Sequence, residues 1–159
     1  MWSRRKVSLL GKITVIKSLI VTKINYICTA VFVPKAIIKE VNSILFRFLW
    51  NGADKIKRKA IIADYSEGGL KMLDLECYIK SKHVFWIKKL LDKDCTHDWK
   101  TISNIYFSKF GGPLLLFSSS FSTSSIDTTK MPNLYLSWLN SWESLVSSST
   151  NEKTFLEQM

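Results

Sequence analysis

The residues of this 159-residue chain that could carry out chemistry are thirteen carboxylates, three cysteines and two histidines. Nucleotide polymerisation uses paired carboxylates that hold two metal ions, because the metals activate the attacking oxygen and stabilise the leaving group. No Asp-Asp pair occurs, and the densest carboxylate group is Asp92, Asp94 and Asp98. This group includes Lys93 and follows a predicted helix, so the pattern indicates a solvated helix end and no metal site.

The cysteines and histidines also lack the spacing of a metal or nucleophilic site. Cys77, His83, Cys95 and His97 include no Cys-x2–4-Cys or His-x3–5-His pair of the kind that zinc sites usually have. His83 is predicted to lie at the edge of a core. Three cysteines without framework spacing indicate reduced intracellular thiols, two of them buried. We therefore predict no catalytic residue, no metal site and no cofactor.

Positive charge is concentrated at the start of the chain. The first sixty residues carry thirteen Lys and Arg but two acids, Glu40 and Asp54, whereas the rest carry ten basic and eleven acidic residues. The first sixty residues thus have a net charge of +11 and the rest have −1, which together give the formal net charge of +10. Such a field attracts a polyanion, usually nucleic acid or an anionic membrane. The predicted nucleic-acid-binding residues are Arg4, Arg5, Lys6, Lys12, Lys17, Lys23, Lys55, Lys57, Arg58 and Lys59, and the wider basic set adds Lys35, Lys39 and Arg47.

Apolar periodicity predicts that the basic segment forms a helical hairpin. The first helix is predicted to run from a cap at Ser3 to about Thr29. Pro34 suits the first turn of a second helix, and Asn51-Gly52 supplies a left-handed stop for it. A short connection between the two helices makes them antiparallel neighbours.

The faces of the first predicted helix indicate how it could meet a partner. Its core stripe consists of Leu9, Ile13, Ile16, Ile20, Ile24 and Ile27. Lys12, Lys17 and Lys23 flank this stripe, so their stems can cover the core edge while their ammonium groups reach out. The opposite face is small and polar, and it comprises Gly11, Thr14, Ser18, Thr22, Asn25 and Thr29. That face could lie along a duplex backbone or admit a closely packed helix.

The rest of the chain is predicted to be helical with interruptions. In chain order, the expected elements are a loop at 55–59, a short extended piece at 60–62, a turn at 67–70, a third helix from a cap at Asp74 to about Asp92, a weaker helix at 99–107, a serine-rich linker at 118–125 and a last helix at 134–146. The predicted fold is mainly α, with a basic helical hairpin, one further long helix, a short extended segment and a serine-rich, poorly ordered C-terminal part.

Hydropathy argues against a membrane or secretory role. No uninterrupted apolar run approaches the roughly 20 residues of a membrane-spanning helix, and the nearest candidate, 24–34, is short and follows Lys23. Lysines interrupt the stretch that would form the core of a secretory signal. The basic, acid-free start resembles a mitochondrial presequence but continues far beyond one. We therefore expect an intracellular, nuclear or cytoplasmic protein in preference to a mitochondrial one.

A longer pattern resembles one protein family. The segments that carry it are 2–20, Lys23-Ile-Asn-Tyr26, Val33-Pro34, Phe46-Arg-Phe-Leu-Trp-Asn-Gly52, Glu67-Gly-Gly-Leu70 with Asp74, Trp86-Ile-Lys-Lys-Leu-Leu91 and Asp98-Trp-Lys100. Together they resemble the stretch that follows the polymerase palm in non-LTR retrotransposon reverse transcriptases, the enzymes of long interspersed elements. The likeness covers residues 2–100 well and 101–159 loosely, which suggests two regions. Lys71 and Leu73 depart from the pattern, because the family often has Gly and Pro there.

The resemblance implies a helical thumb, which grips the template–primer duplex, and the connecting region after it. The palm that carries the family's adjacent aspartates is not among these residues, so we expect no polymerase activity and no small-molecule substrate. The expected function is that of a detached reverse-transcriptase fragment that binds duplex nucleic acid, an RNA–DNA hybrid or DNA, through backbone phosphates and independently of sequence.

Two alternatives to nucleic-acid binding come from other classes. One is a helical protein-interaction module that self-associates through the surface left by the missing palm, or an inactive remnant. The other is a peripheral membrane protein that binds through the basic first helix. The sequence argues against the membrane, because lysines closely flank the apolar stripe and no bulky aromatic residue lies on it.

Overall fold

The structure is a computed structural model that describes residues 7–117, 121–125 and 127–156. Within these ranges it contains six α-helices, several short 3-10 turns and no strand, so the mainly helical fold predicted from the sequence is confirmed. The helices are α1 (Leu9–Ala30), α2 (Lys35–Trp50), α3 (Arg58–Ile62), α4 (Leu75–Leu91), α5 (Asp98–Ser108) and α6 (Asn133–Leu156).

The chain divides into two compact units, unit 1 (Met1–Ile79) and unit 2 (Lys80–Met159). The division falls inside α4, whose first residues belong to unit 1 and whose remainder belongs to unit 2. Packing therefore divides the chain elsewhere than residue 100, where the family resemblance weakens. The division at residue 100 stays a prediction, since it describes resemblance and not contacts.

Helix α1 begins later than predicted. Ser8 is its N-cap, and the Ser8 side-chain oxygen accepts a hydrogen bond from the Gly11 backbone N–H at 3.2 Å. The predicted cap, Ser3, lies outside the described residues, but Val7 and Ser8 are not helical, so the predicted start was wrong. The predicted end near Thr29 agrees with the observed end at Ala30.

A π-helical turn at Ile16–Ile20 changes the register of α1. The Val21 N–H donates to the Ile16 carbonyl, five residues earlier, so one extra residue is accommodated in this turn. Each residue advances a helix by about 100°, and everything after the turn is rotated by about that amount. Ile27 is consequently 55% exposed, and Cys28 is buried in its place. The apolar stripe predicted from sequence is therefore wrong at Ile27, whereas Ile24, also beyond the π turn, packs against the cluster of Cys28, Leu75 and Ile79.

Helix α2 ends where the sequence predicted. Asn51 adopts a left-handed conformation with φ of 55°, and the Gly52 N–H donates to the Arg47 carbonyl at 3.1 Å. The core of unit 1 forms between α1 and α2, together with one residue of α3 and one of the segment that follows it. Its fully buried members are Ile13, Ile16, Val21, Leu45, Phe46, Leu49, Ile61 and Met72.

Residues 60–62, which were predicted to be extended, belong to helix α3 instead, and so do residues 58–59 of the predicted loop. The reason is tertiary: Ile61 is buried in the unit 1 core, and its carbonyl accepts the N–H groups of Leu70 and Met72 at 3.1 and 3.0 Å. The predicted turn at 67–70 is confirmed, with Gly68 left-handed at φ of 76°. A Cβ on Gly69 would lie 2.0 Å from the Ala63 carbonyl oxygen, so this turn requires glycine there.

Helix α4 confirms the predicted cap. The Asp74 carboxylate accepts hydrogen bonds from the backbone N–H groups of Glu76 at 3.0 Å and Cys77 at 3.1 Å. In unit 1, Leu75 and Ile79 of this helix bury Cys28. In unit 2, the ring of Trp86 stacks on that of Trp138, with centroids 6.1 Å apart, and both rings meet Trp99 edge-on.

The C-terminal elements largely follow the prediction. Helix α5 corresponds to the pattern at 99–107, and α6 begins one residue before the pattern at 134 and extends to Leu156. Residues 118–120 of the serine-rich linker lie outside the described residues. Its described part includes a 3-10 turn, Thr123–Ser125, and the Ser122 and Thr123 hydroxyl groups donate to the Glu143 carboxylate at 2.9 and 2.5 Å. These two hydrogen bonds hold the pKa of Glu143 below its usual value, that from Thr123 contributing most.

Candidate nucleic-acid interface

Five of the ten predicted contact residues have exposed side chains on unit 1. Lys17 and Lys23 lie on α1, and Lys55, Lys57 and Lys59 lie in and just beyond the loop between α2 and α3. Among the described residues, none of these five lysines forms an ion pair, whereas Arg58 pairs with Asp54, Lys71 with Asp64 and Lys89 with Asp92. The ammonium groups are therefore available to an external anion.

Lys12 does not belong to this exposed set, which corrects the prediction. Its side chain is buried, and its Nζ donates to the Leu49 carbonyl at 3.0 Å and to Asn51 Oδ1 at 2.8 Å. The ammonium also lies 5.7 Å from the centre of the Phe48 ring. Lys12 thus satisfies backbone and side-chain acceptors at the C-terminal end of α2, where a cation is favourable.

Arg58 is also engaged within unit 1. Its Nε donates to the Asp54 carboxylate at 2.7 Å, and its guanidinium lies 4.7 Å from the centre of the buried Phe46 ring. The ion pair is partly exposed, so it contributes little by itself, but the ring contact fixes the side chain against the core. Arg4, Arg5 and Lys6 lie outside the described residues, so the structure does not test them.

The stretch of chain that carries the five lysines has a large excess of basic residues. Between Val7 and Ile62 there are ten basic residues and two acids, and one of these acids, Asp54, is already paired with Arg58. Lys35, Lys39 and Arg47 of the wider basic set are also exposed, on α2. Glu40 is the remaining acid in this stretch. The imbalance predicted from sequence is therefore present on the folded surface.

The small polar face of α1 is divided between packing and exposure. Asn25 Oδ1 accepts a hydrogen bond from the Tyr78 hydroxyl at 3.0 Å, so this end of the face packs against the beginning of α4. Thr14, Ser18 and Thr22 are exposed, so a close helix contact does not form there within the described residues. Their hydroxyl groups donate to carbonyls of the same helix at 2.8 to 3.0 Å. A phosphate accepts hydrogen bonds, so these hydroxyls would have to rotate before contacting one.

The carboxylates that were examined as metal ligands do not form a metal site. Asp92 Oδ1 accepts the Asp94 N–H at 3.1 Å, which forms the turn after α4. Among the described residues, no group of three His, Cys, Asp or Glu side chains is close enough to hold a metal ion.

His83 and the cysteines also serve packing. The buried His83 Nδ1 lies 2.9 Å from Ser141 Oγ, and burial lowers the pKa of this histidine. Cys28 is buried, which raises its thiol pKa, whereas Cys77 is exposed and Cys95 is half-buried. The expectation of two buried cysteines is therefore wrong, because one of the three is buried.

One apolar helix bears on the membrane question. Within the described part of the chain, α1 is long and apolar enough to cross a bilayer by length and composition, and 22% of its most apolar window is buried. Core helices and signal sequences meet the same criterion. Ile13 and Ile16 of α1 are buried in unit 1, and Lys12 is bonded to the end of α2, so this part of α1 packs within unit 1 in this structure.

Comparisons of the chain with protein-family models, with curated proteins and with solved structures find no match.

Proposed function

We propose that unit 1 binds duplex nucleic acid, an RNA–DNA hybrid or DNA, through its backbone phosphates. The observation that carries this proposal is the set of five exposed lysines without ion-pair partners in a stretch, residues 7–62, that holds ten basic residues and two acids. Lysines that neutralise phosphates release condensed counterions, and this release drives binding without any base contact.

The chemistry of the surface favours sequence-independent binding. A lysine ammonium is a compact point charge that recognises a phosphate without the fixed fork geometry with which arginine reads a base edge. The fork of Arg58 is held by Asp54 and by the Phe46 ring, so it is not free to read a base. Phosphate contacts would position the protein on a duplex and carry no sequence information.

The family resemblance supports the same function. We propose that this region corresponds to the thumb and connecting region of a non-LTR reverse transcriptase, and that the polymerase chemistry of the family belongs to other sequences. Binding, and not catalysis, is then the expected activity of the residues described. A nuclear or cytoplasmic location, where duplex nucleic acid is accessible, follows from this proposal.

Fluorescence anisotropy of the full chain with labelled duplexes, over a salt series, tests the proposal. Five phosphate contacts on a DNA duplex give a slope of log affinity against log salt of about −4.5. The triple variant K55E/K57E/K59E is expected to weaken binding at least tenfold and to reduce the slope by about 3.

A charge-matched control lies in unit 2. Lys88, Lys93 and Lys130 are exposed there, and the variant K88E/K93E/K130E changes the net charge by the same amount. It is expected to preserve the slope. Equal losses in the two triple variants would show a nonspecific effect of net charge and would overturn the proposed interface, as would absence of binding by the folded wild type at low salt.

A further inference from the structure

The turn between α1 and α2 exposes an apolar surface that the nucleic-acid proposal does not use. This surface, the hairpin tip, consists of the exposed side chains Tyr26, Ile27, Ala30, Val31, Phe32, Pro34, Ala36 and Ile37. Tyr26 is 80% exposed, and Val31 is 56% exposed. Connections between helices usually expose polar residues, so a run of exposed aliphatic and aromatic side chains requires another explanation.

The tip is held in place by the core behind it. Val33 and Ile38 pack against a buried cluster formed by Cys28, Leu75 and Ile79. The π turn in α1 places Cys28 in this cluster and thereby turns Ile27 outward. The backbone at Val31 is extended, with φ of −131° and ψ of 141°, so the connection leaves the helix abruptly. The exposed side chains therefore project from a fixed support.

Positive charge surrounds the tip. Lys23 precedes it on α1, and Lys35 and Lys39 follow within and just after it on α2, all three with exposed side chains. Glu40 is the sole acid between residues 7 and 50. Lysine stems can lie along an apolar surface while their ammonium groups remain at its polar boundary. Apolar depth with a cationic rim complements a bilayer interface rich in anionic lipid.

We propose that the hairpin tip inserts into the interface of an anionic membrane. Its aliphatic and aromatic side chains enter the boundary between headgroups and acyl chains, and Lys23, Lys35 and Lys39 meet the anionic headgroups. Tyrosine and phenylalanine suit this depth, because Tyr26 can keep its hydroxyl group among the headgroups while its ring is in the apolar layer.

Insertion of the tip differs from spanning of the bilayer by α1. Spanning would remove Ile13 and Ile16 from the unit 1 core and would break the bonds from Lys12 to Leu49 and Asn51. Insertion of the tip leaves all of these contacts intact. A shallow, reversible interaction through the connection between two helices is therefore compatible with the folded unit, and a transmembrane arrangement of α1 is not.

Co-sedimentation of the full chain with vesicles tests the inference. Vesicles of phosphatidylcholine with 30% phosphatidylserine are compared with vesicles of phosphatidylcholine alone, and binding is expected at least tenfold stronger to the former. The variant V31S/F32S/I37S is expected to lose at least tenfold in this binding. These side chains are 56%, 39% and 46% exposed, so the variant should keep the wild-type circular dichroism spectrum at the assay temperature, with a lower Tm from the apolar area that is lost.

The matched control changes exposed aliphatic residues of unit 2. Ile102, Ile105 and Leu114 are 56%, 56% and 76% exposed, and I102S/I105S/L114S is expected to bind vesicles within twofold of wild type. The variant K35E/K39E is expected to abolish the preference for anionic vesicles. Neither lysine belongs to the five proposed duplex contacts, so duplex binding by this variant should retain most of its salt slope.

The two proposals fail separately. Loss of duplex binding in K55E/K57E/K59E with vesicle binding unchanged, and the reverse in V31S/F32S/I37S, would support both. Absence of wild-type binding to anionic vesicles would overturn the membrane inference and leave the duplex proposal standing. Concentration-dependent oligomers that V31S/F32S/I37S abolishes, without vesicle binding, would also overturn it and would assign the tip to a second copy of the chain.

Discussion

Units 1 and 2 are nearly equal in length but differ in the chemistry of their interiors and surfaces. Unit 1 carries fourteen basic and six acidic residues, whereas unit 2 carries nine and seven. The main buried cluster of unit 1 is largely aliphatic, while Trp86, Trp99 and Trp138 centre that of unit 2. The net charge is thus +8 in unit 1 (14 − 6) and +2 in unit 2 (9 − 7), whereas large exposed apolar side chains occur in both units.

The polar groups of the two units differ in the same sense. In unit 2 the Glu143 carboxylate receives two hydroxyl donors, and the Trp142 indole N–H donates to the Leu116 carbonyl at 3.0 Å. In unit 1, five lysines lack ion-pair partners within the described residues, and the hairpin tip exposes apolar side chains. What separates the two units is therefore the net charge and the hairpin tip of unit 1, since polar groups such as Lys12 and Asn25 are bonded internally in unit 1 as well.

The largest expected effect is a loss of stability from a substitution in unit 1. Replacement of Gly69 by Ala places a Cβ 2.0 Å from the Ala63 carbonyl, so backbone bonds across this turn must be disrupted. We expect a loss of about 3 kcal/mol or more in the free energy of unfolding. Gly68→Ala meets no atom within 4 Å and retains only the strain of a φ of 76°, which costs about 1 kcal/mol.

Urea denaturation, followed by far-UV circular dichroism, compares the free energies of unfolding of these two variants. Gly69→Ala should unfold at a lower urea concentration than Gly68→Ala, which serves as its matched control. A Gly69→Ala protein as stable as Gly68→Ala would contradict the close approach at Ala63.

A second pair separates structural from functional cations in unit 1. Lys12→Met removes the ammonium group that donates to the Leu49 carbonyl and to Asn51 Oδ1 at a buried site. It should lower the free energy of unfolding by about 2 kcal/mol. Lys17→Met changes an exposed residue and should leave stability within about 0.5 kcal/mol. The salt slope of duplex binding should change by about 0.9 for Lys17→Met and remain unchanged for Lys12→Met. The opposite pattern in the two variants would place Lys12 on the interface.

The smallest expected effect concerns acid sensitivity of unit 2. The Ser141 hydroxyl donates to the Ser137 carbonyl at 2.8 Å, and Ser141 Oγ lies 2.9 Å from Nδ1 of the buried His83. Burial lowers the folded-state pKa of His83, so the unfolded chain binds the proton more readily. The contribution of neutral His83 to stability is therefore fully present above the unfolded-state pKa of about 6.5, and it is lost as the pH falls below that value.

Denaturation midpoints of wild type and His83→Gln, measured from pH 7.5 to pH 5, test this sign. The denaturation midpoint of the variant should depend less on pH over this range than that of wild type. Both proteins retain His97. A wild-type stability that rises as pH falls from 7 to 5 would contradict the assignment. Glu143 also has a lowered pKa, but its contribution is lost at lower pH, because carboxylates titrate near 4.

Local signals in the sequence predicted the parts of the fold that depend on nearby residues. The cap at Asp74 and the stop at Asn51-Gly52 were correct, because each bonds to backbone groups within a few residues. The buried side of α4 was also predicted, since Ile79, His83 and Ile87 follow an uninterrupted 3.6-residue period.

Features that depend on distant residues were not predictable in the same way. The acceptors of Lys12 are 37 and 39 residues away, so no periodicity marks this lysine as buried. Exposure of Ile27 depends on a π turn that an α-helical wheel does not include. The basic character of the surface was predicted from composition alone, and the hairpin tip became visible only through the exposed fractions of its side chains.

The π turn at Ile16–Ile20 also has a consequence for how this sequence can change length. Because the turn holds one residue more than an α-helical turn, loss of a single exposed residue such as Ser18 converts it to regular helix. Ile13 before it and Cys28 after it then keep their angular positions relative to the core. In evolutionary terms, α1 contains a site where a one-residue deletion preserves packing. The same deletion elsewhere in the helix rotates the core residues on one side of it by about 100° relative to those on the other side.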